Sequence, residues 1–256
     1  MQLSIYRIFP GIVLSFIIAY TGIYLSRIIG NEVLNLSKSP ISPIMLSIIV
    51  GLLVGNIIKI PSIFSDGIRF SLKFILRLGI ICLGIRLGLL DILKVGVTGI
   101  PLIIVCIIFS IVLVNYFCKF LNVPSKIGSL IAVGTSICGA SAIVATSPAI
   151  NANKEEVTYA IANITIFGII AMFIYPFLGH YLFKGDELSI GLFLGTSIHE
   201  TAQVAGAGLI YSEQYNSPNT MDIATVTKLV RNISMIFVIP FISYLYVKNN
   251  INKENS

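Results

Sequence analysis

The chain has no tryptophan, only two histidines and only 11% charged residues among its 256 positions. A soluble domain carries about 25% charge, so a water-facing surface of ordinary size is excluded. Its four cysteines, Cys82, Cys106, Cys118 and Cys138, form no CxxC pair and lie in or beside apolar runs. They read as small buried residues, not as metal ligands or a disulfide framework. No phosphate-binding GxxxxGK[ST] loop occurs, which removes ATP-driven transport within this chain. His199-Glu200 comes closest to a zinc-protease motif, but Gln203 stands where the second histidine ligand must be. No metal, cofactor or enzymatic nucleophile–base pair is expected. The formal net charge of +6 is spread singly between apolar runs, so it marks no nucleic-acid surface.

What the chain has is apolar length. Hydrophobic residues make up 56% of it and the mean hydropathy is +0.95. About 20 apolar residues cross a bilayer core, and on that measure the sequence predicts an all-α polytopic membrane protein with about eight membrane segments. Four spans fill an N-terminal region, 1–126: Ile8–Leu25, Ile44–Ile58, Phe74–Leu93 with Arg86 inside it, and Val97–Phe117. A core, 127–248, follows in two units, 127–184 and 188–248, and 249–256 is a polar tail. The first stretch has no small-residue cleavage site and reads as a retained span. Arg7, four cations between spans two and three, Lys119 and Lys126 outnumber Arg27, Lys38 and Lys94 on the other side. Both termini are therefore expected in the cytoplasm.

The two core units share a pattern. Gly134-Thr135-Ser136-Ile137 returns as Gly195-Thr196-Ser197-Ile198, each inside an apolar segment, and Val157-Thr158 with Asn163 returns as Val226-Thr227 with Asn232. Interrupted helix at membrane depth is tolerated only where protein or a water-filled cavity surrounds it. Paired interruptions in corresponding segments point to the binding site of a secondary transporter. The candidate substrate residues are Thr135, Ser136, Cys138, Gly139, Ser141, Thr196, Ser197 and Gln203, with Arg86 for an anion. Half-helix N-termini at the breaks would favour negative charge, although small residues also serve plain close packing. Full crossing would make the units parallel copies and folding back would make them inverted ones; the sequence leaves both open.

Ionisable groups in a transmembrane segment are expensive and usually functional. His199 and Glu200 are thus candidates for coupling to a proton or a sodium ion, or else a polar pair tied to Lys228 or Arg231. Asn163, Asn232 and Pro148 are assigned structural roles: the amides to bond broken backbone, the proline to limit the half-helix after the first break.

The strings LRLGIICLGIRLGLL (76–90), GTSICGASAIVATSPAI (134–150) and GTSIHETAQVAGAG (195–208), with the helix from Val157 to Phe177, resemble the YeiH-like bacterial inner-membrane proteins. Sulfate export is ascribed to that family, which is grouped with the bile-acid symporter and cation-proton antiporter folds. The resemblance implies an inner-membrane carrier of a small anion such as sulfate or an organosulfonate, with discontinuous helices at its centre. Members usually continue through about three more spans, whereas the last span here is expected to finish near Val247. The alternatives that follow are a truncated or partner-dependent structural or channel-like subunit, or a homo-oligomer that supplies the missing helices.

Overall fold

A computed structural model describes residues 5–33, 39, 41–75, 78–79, 81–82 and 89–254, and every regular element among them is helical. Arg86 and nine of the twenty residues of the third expected span lie outside the described residues. Contacts divide the chain into two compact units, Met1–Gly88 with Leu209–Pro218, and Leu89–Gly208 with Asn219–Ser256.

In the first unit α1 (Ile5–Arg27) packs on α2 (Pro43–Ile57) and on the short α3 (Ser65–Phe70). Ser42 fixes the start of α2: its Oγ accepts from the Ile44 N–H at 3.3 Å and donates to Glu213 at 2.7 Å. Proline at the first helical position suits that start, because it sacrifices no hydrogen bond there.

The second unit begins with α4 (Leu89–Phe120). A break was expected between Leu93 and Val97, and there is none. The stretch holds no proline and its one glycine costs only about 1 kcal/mol, too little to stop a helix with such an apolar continuation. Then come α5 (Ser125–Ser136), α6 (Ala140–Thr146) and α7 (Lys154–Phe183). A capping box starts α7, with Asn153 accepting from Glu156 N–H and Glu156 accepting from Asn153 N–H, each at 2.8 Å. After α7 come α8 (Glu187–Ser197) and α9 (Thr201–Tyr215), the latter crossing from the second unit into the first, then α10 (Pro218–Ile233) and α11 (Met235–Glu254). Asp186 caps α8, and the Ser189 side chain and backbone N–H hold its carboxyl below the usual carboxylate range.

In the polar stretch 211–222, α9 runs to Tyr215, Asn216 takes a left-handed φ of 53°, and Pro218 opens α10. α10 and α11 meet at Ser234 with a 43° bend. Among the described residues three helices, Tyr6–Gly30, Gly96–Phe120 and Lys154–Phe183, are long and apolar enough to cross a membrane, or four if the bent pair is counted as one span. Their outward faces carry residues such as Val105, Val112, Phe167 and Ile174, all exposed, which only lipid or further protein covers without penalty.

α5 and α6 fold back on each other. Lys126, at the start of α5, donates from Nζ to the Asn151 carbonyl, just past α6, at 2.8 Å. Leu130, Ile143 and Ile150 share one buried cluster with Ala160 and Ile164 of α7. A straight broken span would set Lys126 and Asn151 roughly 30 Å apart. α8 and α9 do the same against α10. Gly191 lies on Ile223, Gly195 on Ala224 and Thr227, so α8 runs parallel to α10. Gly208 lies on Met221 and Thr201 bonds Asn232, so α9 runs antiparallel to it. The mouth of the first hairpin is at the start of α7 and the mouth of the second at its end. Both tips reach the middle of α7, where Ile164 lies beside Gly134 and Gly139, and Gln203 lies against Gly168.

Candidate functional site

α5 ends at Ser136 and α8 at Ser197, each with a last turn of carbonyls that no helical N–H can satisfy. Two cations one turn apart on α10 satisfy them. Arg231 donates from Nε to the Ser136 carbonyl at 2.9 Å, from Nη2 to Thr135 at 2.6 Å and from Nη1 to Thr196. Lys228 donates from Nζ to the Ile137 carbonyl at 2.7 Å and to Ile198 at 3.0 Å. Each side chain thus bridges the two hairpin tips. Both are at most 1% exposed. The negative ends of two helix dipoles meet at this point, which is why cations stand there.

Among the described residues no carboxylate pairs with Arg231; its hydrogen-bond partners are carbonyls. The ion pair with Glu200 that the sequence raised does not form. Glu200 sits instead against the first break, where a Cβ added to Gly139 would lie 2.9 Å from its Cγ. Its carboxyl accepts from the Ala140 backbone at the start of α6, and Lys228 acts on it electrostatically. Gly139 has φ 70° and ψ −126°, a conformation closed to other residues without strain.

The hydroxyls of Ser136, Thr196 and Ser197 bond back to carbonyls of their own helices. Gln203 accepts from the Glu200 N–H and donates to the Thr165 carbonyl, both at 3.3 Å, tying the start of α9 to α7. Asn232 donates to Thr201, the first residue after the second break, at 3.3 Å. Cys138 is buried with its Sγ 3.3 Å from Met235 Sδ, while Ser141 and Pro148 are exposed. Asn163 is half-buried on α7. The expected anion sites at half-helix N-termini are taken by this chain's own groups, Glu200 at α6 and Gln203 at α9.

A cavity of about 490 Å³ leads to the tips. One wall is a single face of α8, with Ser189, Leu192, Phe193, Thr196 and Ser197 at helical spacing; the opposite wall is the Leu102–Cys106–Phe109 face of α4. Its deep end holds Thr135, Thr196, Ser197, His199 and Arg231. His199 contributes a buried Nδ1 with no hydrogen-bond partner among the described residues. The sequence reading missed this face of α4, because apolar residues at that spacing in a span are indistinguishable from lipid-facing ones. The roles of Lys228 and Arg231 were nearer to hand: two cations three apart in an otherwise buried helix are a conspicuous pattern.

Residues 10–256 match the family model described as "Conserved hypothetical protein 698". A UPF0324 membrane protein of Streptococcus agalactiae is 35% identical over 247 residues, covering 96% of this chain and 70% of that protein. UPF0324 membrane proteins of Fusobacterium nucleatum, 34% identical over 246 residues, and Yersinia pestis, 32% over 238, have 68% and 64% of their lengths matched by 96% and 88% of this chain. No solved structure matches the chain.

Proposed function

The chain belongs to this family of membrane proteins, and from that premise we propose that it is a secondary carrier of a small anion, acting in the bacterial inner membrane. In this reading α5–α6 and α8–α9 are re-entrant segments from opposite faces, about eight membrane segments are present in all, and the anion binds where the tips meet. The observation that carries it is Arg231: a buried guanidinium with no carboxylate partner, at the floor of a cavity. A buried cation offset only by carbonyl dipoles leaves room for one more negative charge. Glu200 and His199, beside the tips, are the groups we assign to coupling, with a proton or a sodium ion as the coupled ion. Sulfate is one candidate substrate.

The test is anion uptake into proteoliposomes under an imposed pH jump, with melting temperature measured on the same protein. Uptake should depend on the gradient, and Glu200→Gln should remove that dependence with the melting temperature kept. No anion-dependent flux together with no anion-induced rise in melting temperature would sink the carrier reading and favour a subunit without transport of its own. An unchanged proton response in a stable Glu200→Gln protein would remove Glu200 from coupling.

A further inference from the structure

The shape of the cavity bears on what kind of anion it takes. Sulfate has the bulk of about two waters, roughly 60 Å³, and would occupy a small part of the 490 Å³ space. The rest would fill with water against Leu102, Leu192, Phe183 and Phe193, which offer it no hydrogen bonds. The charged group and most of the polar ones stand at the hairpin tips, with Ser189 toward the other end and Ser110 on α4. From Ser189 to Ser197 the α8 wall is about 12 Å long, and its apolar part, at Leu192 and Phe193, precedes the hydroxyls of Thr196 and Ser197. A Cβ added to Gly99 would lie 3.2 Å from Leu192 Cδ2, while Cys106 lies within electrostatic reach of Arg231, so α4 matches that order, apolar first and polar at depth. Arg231 supplies the charge at the floor, and the partnerless His199 Nδ1 lies beside it.

We infer that the site takes an organic monoanion with an apolar body, its acid group at Thr196, Ser197, His199 and Arg231 and its body between the Leu192–Phe193 face of α8 and Leu102 of α4. This rests on the carrier reading for what the protein does with the ligand, but not for its binding. Cavities of about 300–1,000 Å³ with mostly apolar walls and a few convergent polar groups are the usual form of sites for organic ligands. The inorganic ion, by contrast, would surrender a strong hydration shell for apolar walls.

The probes are inorganic sulfate, a series of linear alkylsulfonates from methane- to octanesulfonate, which stay ionised at any working pH, and alcohols of the same chain lengths. Binding to the full chain in lipid nanodiscs is measured by calorimetry, with protein-free nanodiscs subtracted. Affinity should rise roughly fourfold per methylene until the cavity is filled, with the matching alcohols at least tenfold weaker. Leu102→Trp, which narrows the apolar stretch and adds the chain's one tryptophan, should end the gain at a shorter chain, and its emission should shift on binding. Flat affinity across the series, or sulfate equal to octanesulfonate, overturns the organic-anion assignment and leaves a small-anion carrier standing. Alcohols binding as well as sulfonates overturn the placement of the acid group. If neither sulfate nor any sulfonate binds, the anion site and the carrier reading fall together.

Discussion

Arg231 does with one side chain what a soluble protein does with caps. Three carbonyls from two helix ends converge on its guanidinium, and the planar fork can serve all three at once where an ammonium, a point donor, cannot. Replacing it by methionine keeps most of the volume and strips the donors. Each buried carbonyl left without a partner costs about 1 kcal/mol or more, so Arg231→Met should lower unfolding stability by about 3 kcal/mol, with Arg231→Lys recovering only part of it. Reversible unfolding of the nanodisc-held protein reads this directly; a loss below about 1 kcal/mol for Arg231→Met would mean that the tips are held by packing instead. At this scale much of the site was legible. His199, Glu200, Thr196 and Ser197 stand out as polar residues in apolar sequence, and they do gather at the hairpin tips. What could not be read was which polar group faces which. Whether Arg231 meets Glu200 or a row of carbonyls depends on the rotation of α10, and its run of mixed polar and apolar residues fits several rotations.

The elements show where period and punctuation suffice. Gly134-Thr135-Ser136 and Gly195-Thr196-Ser197 are still helical, and the breaks follow them, at 137–139 and 198–200; glycine and short hydroxyl residues weaken the helix there, and the long α7 follows from an apolar run behind a capping box. Folding back is another matter, since it depends on pairs far apart in sequence, such as Lys126 with Asn151 and Gly195 with Thr227. Gly139 is the hinge of the first hairpin. Its φ of 70° belongs to glycine, and a Cβ there would also lie 3.3 Å from Ile164 Cγ2 and 2.9 Å from Glu200 Cγ. Backbone strain of this kind costs about 1–3 kcal/mol, before the displacement of Glu200 is counted. Gly139→Ala should therefore destabilise the protein by about 2 kcal/mol or more and weaken the response to a pH jump, because Glu200 is pushed from the start of α6. Gly55, which meets nothing within 4 Å of its would-be Cβ, is the matched control: Gly55→Ala should change stability little or raise it. Equal effects of the two substitutions would contradict the hinge.

For the whole molecule the two hairpins decide the topology. Lys119, Lys126 and Lys154 gather at the first mouth, while the second has Lys184 beside Asp186 and Glu187. Lysine and arginine accumulate on the cytoplasmic side, so the first mouth is expected to face the cytoplasm and the second the outside. α10 and α11 together run back from the second mouth, since Ile242 packs beside Val133 and Ala142, and Tyr246 beside the cluster of Leu130 and Ile150. That places the end of α11 with the first mouth, on the side expected to be cytoplasmic. In that orientation the cavity end lined by Phe183 and Ser189 is expected to open to the outside, and a ligand would be exchanged on that side. Labelling single cysteines with an impermeant maleimide checks the arrangement, after Cys82, Cys106, Cys118 and Cys138 are replaced by serine or alanine. Ser125→Cys and Lys154→Cys flank the first hairpin and should both react only from the cytoplasm, and Glu187→Cys only from outside. If Ser125→Cys and Lys154→Cys react from opposite sides, α5 and α6 cross the bilayer instead of folding back, and the tips cannot meet. If all three report the reverse sidedness, the hairpins stand but the cavity faces the cytoplasm, and its ligand is exchanged there.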